Sequence, residues 1–213
     1  FLSAVMEHPR FKEGRLEIDR LSIGGLAGAN ISATGSIRGI GSEPTASLDA
    51  SVIAADLAPL VTTLAERFPQ NRLAQAAAWR VRNYPGLLAD ASVHLVAGSS
   101  GSPAEPMALE LSAKGEAGGT SFSLTASSDD MRPGPADAPL SLQFSAGNDE
   151  AAALYALAGL PALPLGLAGA AEMQLSFDGA IAGGGEAKLA LSGSDFDFAF
   201  AGTAAVDEGV LAA

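Results

Sequence analysis

Hydrophobic and polar residues alternate along most of this chain, in short runs broken by glycine, serine and proline. Residues 29–38 set the pattern. Ile31, Ala33 and Ile37 fall at the two-residue period of a strand with one buried face. After a turn at 39–44, Leu48, Ala50, Val52 and Ala54 repeat it over residues 46–55. The period then changes. Leu57, Leu60, Val61, Leu64 and Phe68 stand three and four apart. That spacing predicts a helix from Asp56, its N-cap, to Phe68, closed by Pro69.

The other elements follow in the same way. Residues 14–23 predict a strand whose phase slips between Ile18 and Leu21, so a bulge is expected at Asp19 and Arg20. Gly24, Gly25 and Gly28 are expected to turn the chain into residues 29–38. A second helix is predicted over 72–84. Leu73, Ala77, Val81 and Tyr84 form its apolar stripe, with Arg72, Trp79 and Arg82 on the other side. Strands are predicted at 89–97, 107–114, 119–127 and 140–145, then a helix over 149–158 capped by Asn148. Three more strands fall at 171–178, 186–192 and 195–201. Residues 1–13 read as irregular or helical.

This order recurs. Two strands, a loop, a third strand and a helix occupy about 14–68 and again about 107–160. An incomplete third copy spans about 170–203. The two helices start at Asp56 and Asp149, 93 residues apart. Such a recurrence predicts a mostly β protein: one β-rich repeat domain over 1–213, an elongated antiparallel sheet of ββ-loop-βα units with short helices at the junctions. The start at Phe1 rather than methionine is read as the mark of a fragment from a longer protein.

Composition narrows the chemistry. Cysteine is absent, which excludes disulfide and thiolate chemistry. Aromatic residues are only 6% of the chain, so its cores must be thin or built from small side chains. Residues 1–82 hold nine cations and eight acids, whereas residues 83–213 hold three cations and sixteen acids. The acidic half argues against a nucleic-acid partner. Residues 151–171 carry no charge, but Pro161 and Pro164 break any helix there. A helix of about ten residues is about 15 Å long, against about 30 Å for a bilayer core.

No catalytic signature is present, and no enzyme is expected. His8 and His94 lie far apart and lack metal-ligand spacing. Asp195 and Asp197 alternate with Phe196 and Phe198, so they are expected on the wet face of a strand. Asp129 and Asp130 lie in a loop. Neither pair approaches the six to eight oxygens of a calcium site, so no metal or cofactor is expected.

The apolar strand faces are the strongest signal, and they allow two readings. One is an ordinary core beneath the helices. The other is a groove open to apolar ligands, because about ten strands face only three short helices. The strand with Phe196, Phe198 and Phe200 sharpens the choice, since such a face must be buried by protein or by ligand.

Two runs carry a family resemblance. Ala29-Asn-Ile-Ser-Ala-Thr-Gly-Ser-Ile-Arg-Gly-Ile40, followed by Ala46-Ser-Leu-Asp-Ala-Ser-Val-Ile-Ala-Ala-Asp-Leu-Ala-Pro-Leu60, resembles the repeat of the AsmA-like family of diderm bacteria. Leu167-Ala-Gly-Ala-Ala-Glu-Met-Gln-Leu-Ser-Phe-Asp-Gly179 resembles another strand entry of that family. The likeness covers roughly residues 14–203. It implies a curved β-sheet whose apolar groove carries lipid chains between membranes in outer-membrane assembly. It also implies a periplasmic body with an inner-membrane anchor, which this sequence lacks. The acyl-chain contacts implied are Phe196, Phe198, Phe200, Phe177, Leu175 and Leu189, with Phe122, Leu124 and Ile31. Arg72, Trp79 and Arg82 allow two readings: a face for anionic headgroups or an envelope protein, or, as expected of exposed charges, arginines paired with the chain's own acids. The competing expectation is a structural or adhesin-type β spacer with a filled core and no ligand.

Overall fold

The computed structural model describes residues 14–39, 43–101, 106–134, 137–158, 169–194, 197–207 and 210–212. Ten long strands follow one another as a meander: β1 (Leu16–Leu26), β2 (Ala29–Arg38), β3 (Thr45–Asp56), β4 (Ala89–Ser100), β5 (Ala108–Ala117), β6 (Thr120–Ser128), β7 (Leu140–Asn148), β8 (Ala171–Ala180), β9 (Gly184–Gly193) and β10 (Asp197–Asp207). A short β11 (Val210–Ala212) folds back antiparallel onto the last residues of β10. Every pairing is antiparallel and joins neighbours in sequence. The sheet is not closed into a barrel.

Three helices interrupt the meander among the described residues. α1 (Ala58–Arg67) and α2 (Arg72–Asn83) separate β3 from β4, and α3 (Ala151–Ala158) separates β7 from β8. The ββ-loop-βα order therefore occurs twice, as β1-β2-β3-α1 and β5-β6-β7-α3. All three helices leave from the same end of the sheet. There Leu26 meets Ala29, Ala54 meets Ala91, Ala117 meets Thr120 and Asn148 meets Ala171. We call this the helix end and the opposite edge the loop end.

The predicted bulge at Asp19 and Arg20 is present as a register shift between Ile18 and Leu21. The predicted turn is displaced. A second shift between Ile23 and Leu26 absorbs Gly24 and Gly25, so β1 runs on and the turn is Ala27–Gly28. Both turn residues have positive φ. The helix starts also move, because sheet pairing claims their caps. Asp56 is the last residue of β3, paired with Ala89, while its Oδ1 accepts from the Ala58 amide at 2.8 Å. Asn148 ends β7 in the same way, and its Oδ1 accepts from the Glu150 amide at 2.7 Å, so α3 begins at Ala151 rather than Asp149.

Buried residues gather at the helix end. Ala29, Ala54, Ala91, Ala117 and Ala171 are all buried there. Their small side chains leave room for what crosses above them. Gly118 shows how close that approach is. Its φ is +57°, its amide donates to Ala89 O at 2.7 Å, and a Cβ would stand 2.3 Å from Leu87 O. The β5–β6 turn is thus wedged against the chain that leads from α2 into β4, and only glycine fits.

α1 and α2 pack on each other through alanine. Ala65 and Ala78 are fully buried, and Gln75 Nε2 donates to Ala65 O at 2.7 Å. The buried line of α2 thus runs through Ala78 and Val81, whereas Ala77 and Tyr84 of the predicted stripe are only half-buried. The side chain of Leu73 lies outside the described residues. A close helix–helix contact favours small residues over the larger ones that periodicity selects.

Candidate functional site

The register aligns the apolar positions of every strand into rows that cross the whole sheet. One row reads Leu21, Ala33, Ala50, Leu95, Ala113, Leu124, Phe144, Leu175, Leu189 and Phe200. The next, nearer the helix end, reads Ile23, Ile31, Val52, Val93, Gly115, Phe122, Ala146, Met173, Leu191 and Phe198. With strands about 4.8 Å apart, each row is on the order of 40 Å long. Glycine lets the backbones approach within a row: a Cβ at Gly115 would lie 2.2 Å from Ser92 O, so β4 passes too close there for any side chain.

The opposite face is polar and rich in hydroxyls. Ser36 and Ser47 share a hydrogen bond at 3.0 Å, and the Ser141 hydroxyl donates to Asp178 at 2.6 Å. His94 lies on this face, as its flanking residues predict, 3.1 Å from Asp49 Oδ1. Asp197 lies on it too, while Asp195 is outside the described residues. A hollow of about 670 Å³ is lined by Ser123, Thr125, Gln143, Gln174 and Lys188 together with Phe144, Leu175, Leu189 and Phe200. In the loop after β6, the guanidinium and amide of Arg132 hold the Asp130 carboxyl far below the usual carboxylate range.

One helix covers part of the apolar face. α3 sets Leu154 and Tyr155, both fully buried, against Ala146, Ala171 and Leu191. Phe122, Phe144 and Met173 pack at the rim of that cluster. Burial raises the Tyr155 phenol pKa. Asn148, itself buried, fixes the start of α3 to the preceding β5–β6 hairpin: its Nδ2 donates to Thr120 Oγ1 at 2.7 Å and to Gly118 O at 3.2 Å.

Away from α3 the same face is open. Leu21 is 43% exposed and Leu26 44%, and Ile18, Ile23, Ile37 and Leu48 are similar. A hollow of about 240 Å³ on this side is bounded by Leu16, Ile18, Ile37, Leu48, Ala97 and Leu109. At the far edge Phe198 is 49% exposed.

Phe198, Phe200, Phe177, Leu175, Leu189, Phe122, Leu124 and Ile31 therefore share one face of one sheet. Phe196 is outside the described residues. Leu124, Leu175, Leu189 and Phe200 lie in a single row, while Phe122 is partly taken up by the α3 cluster. Of the open patch on β1–β3, sequence reasoning singled out Ile31 alone. The signal for the rest was there: a first strand with four large aliphatics, Leu16, Ile18, Leu21 and Ile23, and no helix of its own.

Trp79 and Arg82 of α2 are both exposed, and Trp79 meets Tyr84 edge-on with ring centroids 6.4 Å apart. The side chain of Arg72 lies outside the described residues. No helix among the described residues is long and apolar enough to cross a membrane.

Comparison with protein-family models, with curated proteins and with solved structures returns no match to this chain.

Proposed function

We propose that the apolar sheet face binds the acyl chains of lipids, without catalysing a reaction on them. The observation that carries this reading is the combination of register and cover. Apolar rows run across ten strands, and among the described residues one eight-residue helix shields only the β6–β9 part. The uncovered remainder presents large aliphatic and aromatic side chains to solvent, which an unoccupied surface of this size does not sustain. Hydrocarbon fits it energetically. Burying a methylene contributes about 0.8 kcal/mol, so a chain of about 15 gains on the order of 10 kcal/mol before the costs of binding.

The AsmA-like resemblance supports a setting for this reading: a periplasmic module attached to the inner membrane that handles lipid during outer-membrane assembly. A structural β spacer is the competing reading. It draws on the packed cluster under α3, which is an ordinary core. It leaves Ile18, Leu21, Ile23 and Leu26 without an occupant.

The test is a photo-crosslinkable residue at position 198 or 21, with lipid identified by mass spectrometry after purification without detergent. Lipid attached at both positions is the expected result. A protein that purifies lipid-free and crosslinks to nothing at either position refutes the reading.

A further inference from the structure

We propose that α2, with the chain that joins it to α1, is a docking surface for an anionic lipid bilayer. This surface is separate from the apolar sheet face and does not depend on lipid being held there. Charge is the first argument. The protein carries a net charge of −12, and between Asp90 and Asp207 it has only three cations. α2 reads RLAQAAAWRVRN, with three arginines and no acid. Arg67 closes α1 just before it. An anionic surface is therefore repelled by the acidic part of the chain from Asp90 onward and attracted at this cluster of arginines.

The second argument is exposure. Arg67 and Arg82 are exposed, and among the described residues neither forms an ion pair. Trp79 is 55% exposed and Phe68, at the α1–α2 corner, is 56% exposed. Tryptophan beside arginine is the pairing that suits a bilayer interface. The indole sits at headgroup depth, and the guanidinium takes phosphate oxygens in a bidentate grip. A nucleic-acid strand would match the charge, but it would leave Phe68 and Leu64 in water. Docking here would bring the helix end of the sheet to the membrane and leave the loop end pointing away.

Trp79 is the single tryptophan of the chain, so its fluorescence reports on this surface alone. The measurement uses the whole chain with vesicles of phosphatidylcholine, and with vesicles of phosphatidylcholine mixed with phosphatidylglycerol. The expected result is a blue shift of Trp79 emission with the mixed vesicles only, reversed by high salt. Arg82→Gln should weaken partitioning about fivefold, since each basic residue near such a surface contributes about 1 kcal/mol. Arg132→Gln, far along the chain, should leave it unchanged. Phe198→Ser separates the two surfaces: it should leave the Trp79 shift intact even where it abolishes acyl-chain binding by the sheet. An unmoved emission maximum with mixed vesicles overturns the proposal. So does an equal shift with neutral vesicles, or one insensitive to Arg82→Gln.

Discussion

The apolar face beneath α3 and the apolar face over β1–β3 are built by the same rule and meet opposite fates. Both come from strict alternation, and both fall in the same rows. Under α3, Leu191 is buried against Leu154 and Tyr155. In the same row on β1, Ile23 is open to solvent. The difference lies outside the strands. The helix α3 after β7 is apolar throughout and lies on the sheet. The insertion after β3 is a pair of helices that pack chiefly on each other. Alternation decides which face is apolar. The inserted segment decides whether that face becomes core or surface.

Removing the helix side of this contrast should have the largest effect. Tyr155→Ala empties a fully buried position and should cost about 3–5 kcal/mol in chemical denaturation. Ile23→Ala, at the other end of the comparison, should cost about 1 kcal/mol, because much of its surface is already wet. Equal losses at the two sites would mean that they are not different environments.

The polar anchor comes next. Asn148→Leu removes the hydrogen bonds to Thr120 Oγ1 and Gly118 O and leaves Thr120 buried without that partner. A loss of about 1–3 kcal/mol is expected, with faster amide exchange across α3 than in β1–β3. Uniform exchange changes would show that Asn148 does not act on α3 locally.

Phe198 probes the open side. Phe198→Ala should cost about 1–2 kcal/mol, well under the cost of a filled core position, because nearly half the ring is exposed. Phe198→Asp should keep a cooperative melt and lose lipid crosslinking at neighbouring positions. A collapse of the fold in either variant would place Phe198 in a core.

The smallest effect belongs to the loop end. Arg132 depresses the Asp130 carboxyl pKa, so the ion pair stabilises the fold above the ordinary carboxylate range, near pH 4. That contribution fades as pH falls toward the depressed value. Asp130→Asn should therefore lower the melting temperature slightly at neutral pH, and the gap to wild type should narrow on acidification. A gap that widens in acid would reverse the assigned sign. The pair is exposed, so the shift should be small against that of Tyr155→Ala.

Much of this fold was legible because a strand with one wet face writes its own pattern. The slip between Ile18 and Leu21 located a bulge to the residue. The second bulge was missed because Gly24 and Gly25 signal a turn as readily as a bulge, and only pairing with β2 separates the two. Asp56 is not the expected N-cap: it ends β3 against Ala89 and leaves Leu57 as the cap of α1, and the strand-end role of Asn148 likewise depends on its partner Ala171. The contact between α1 and α2 was hidden for another reason. Ala65 and Ala78 carry almost no hydrophobic signal, yet they are the residues that let two helices meet. For the candidate site, sequence grouped the aromatic positions on one face. It could not separate Phe122, which is partly packed under α3, from Phe198, which is not. Cover is a tertiary property and leaves no periodicity.

The strand order has a consequence for how such a chain comes to be folded. Every strand pairs with the one made just before it, so sheet pairing never has to wait for a distant segment. The mean sequence separation of its pairings is low for a β protein, and low contact order favours fast folding. Each hairpin can close as soon as its second strand emerges, and the growing edge is always the newest strand. A sheet assembled in this direction can be lengthened by one hairpin without re-threading anything already formed. Its span is thus set by how many hairpins the chain encodes rather than by the geometry of closure.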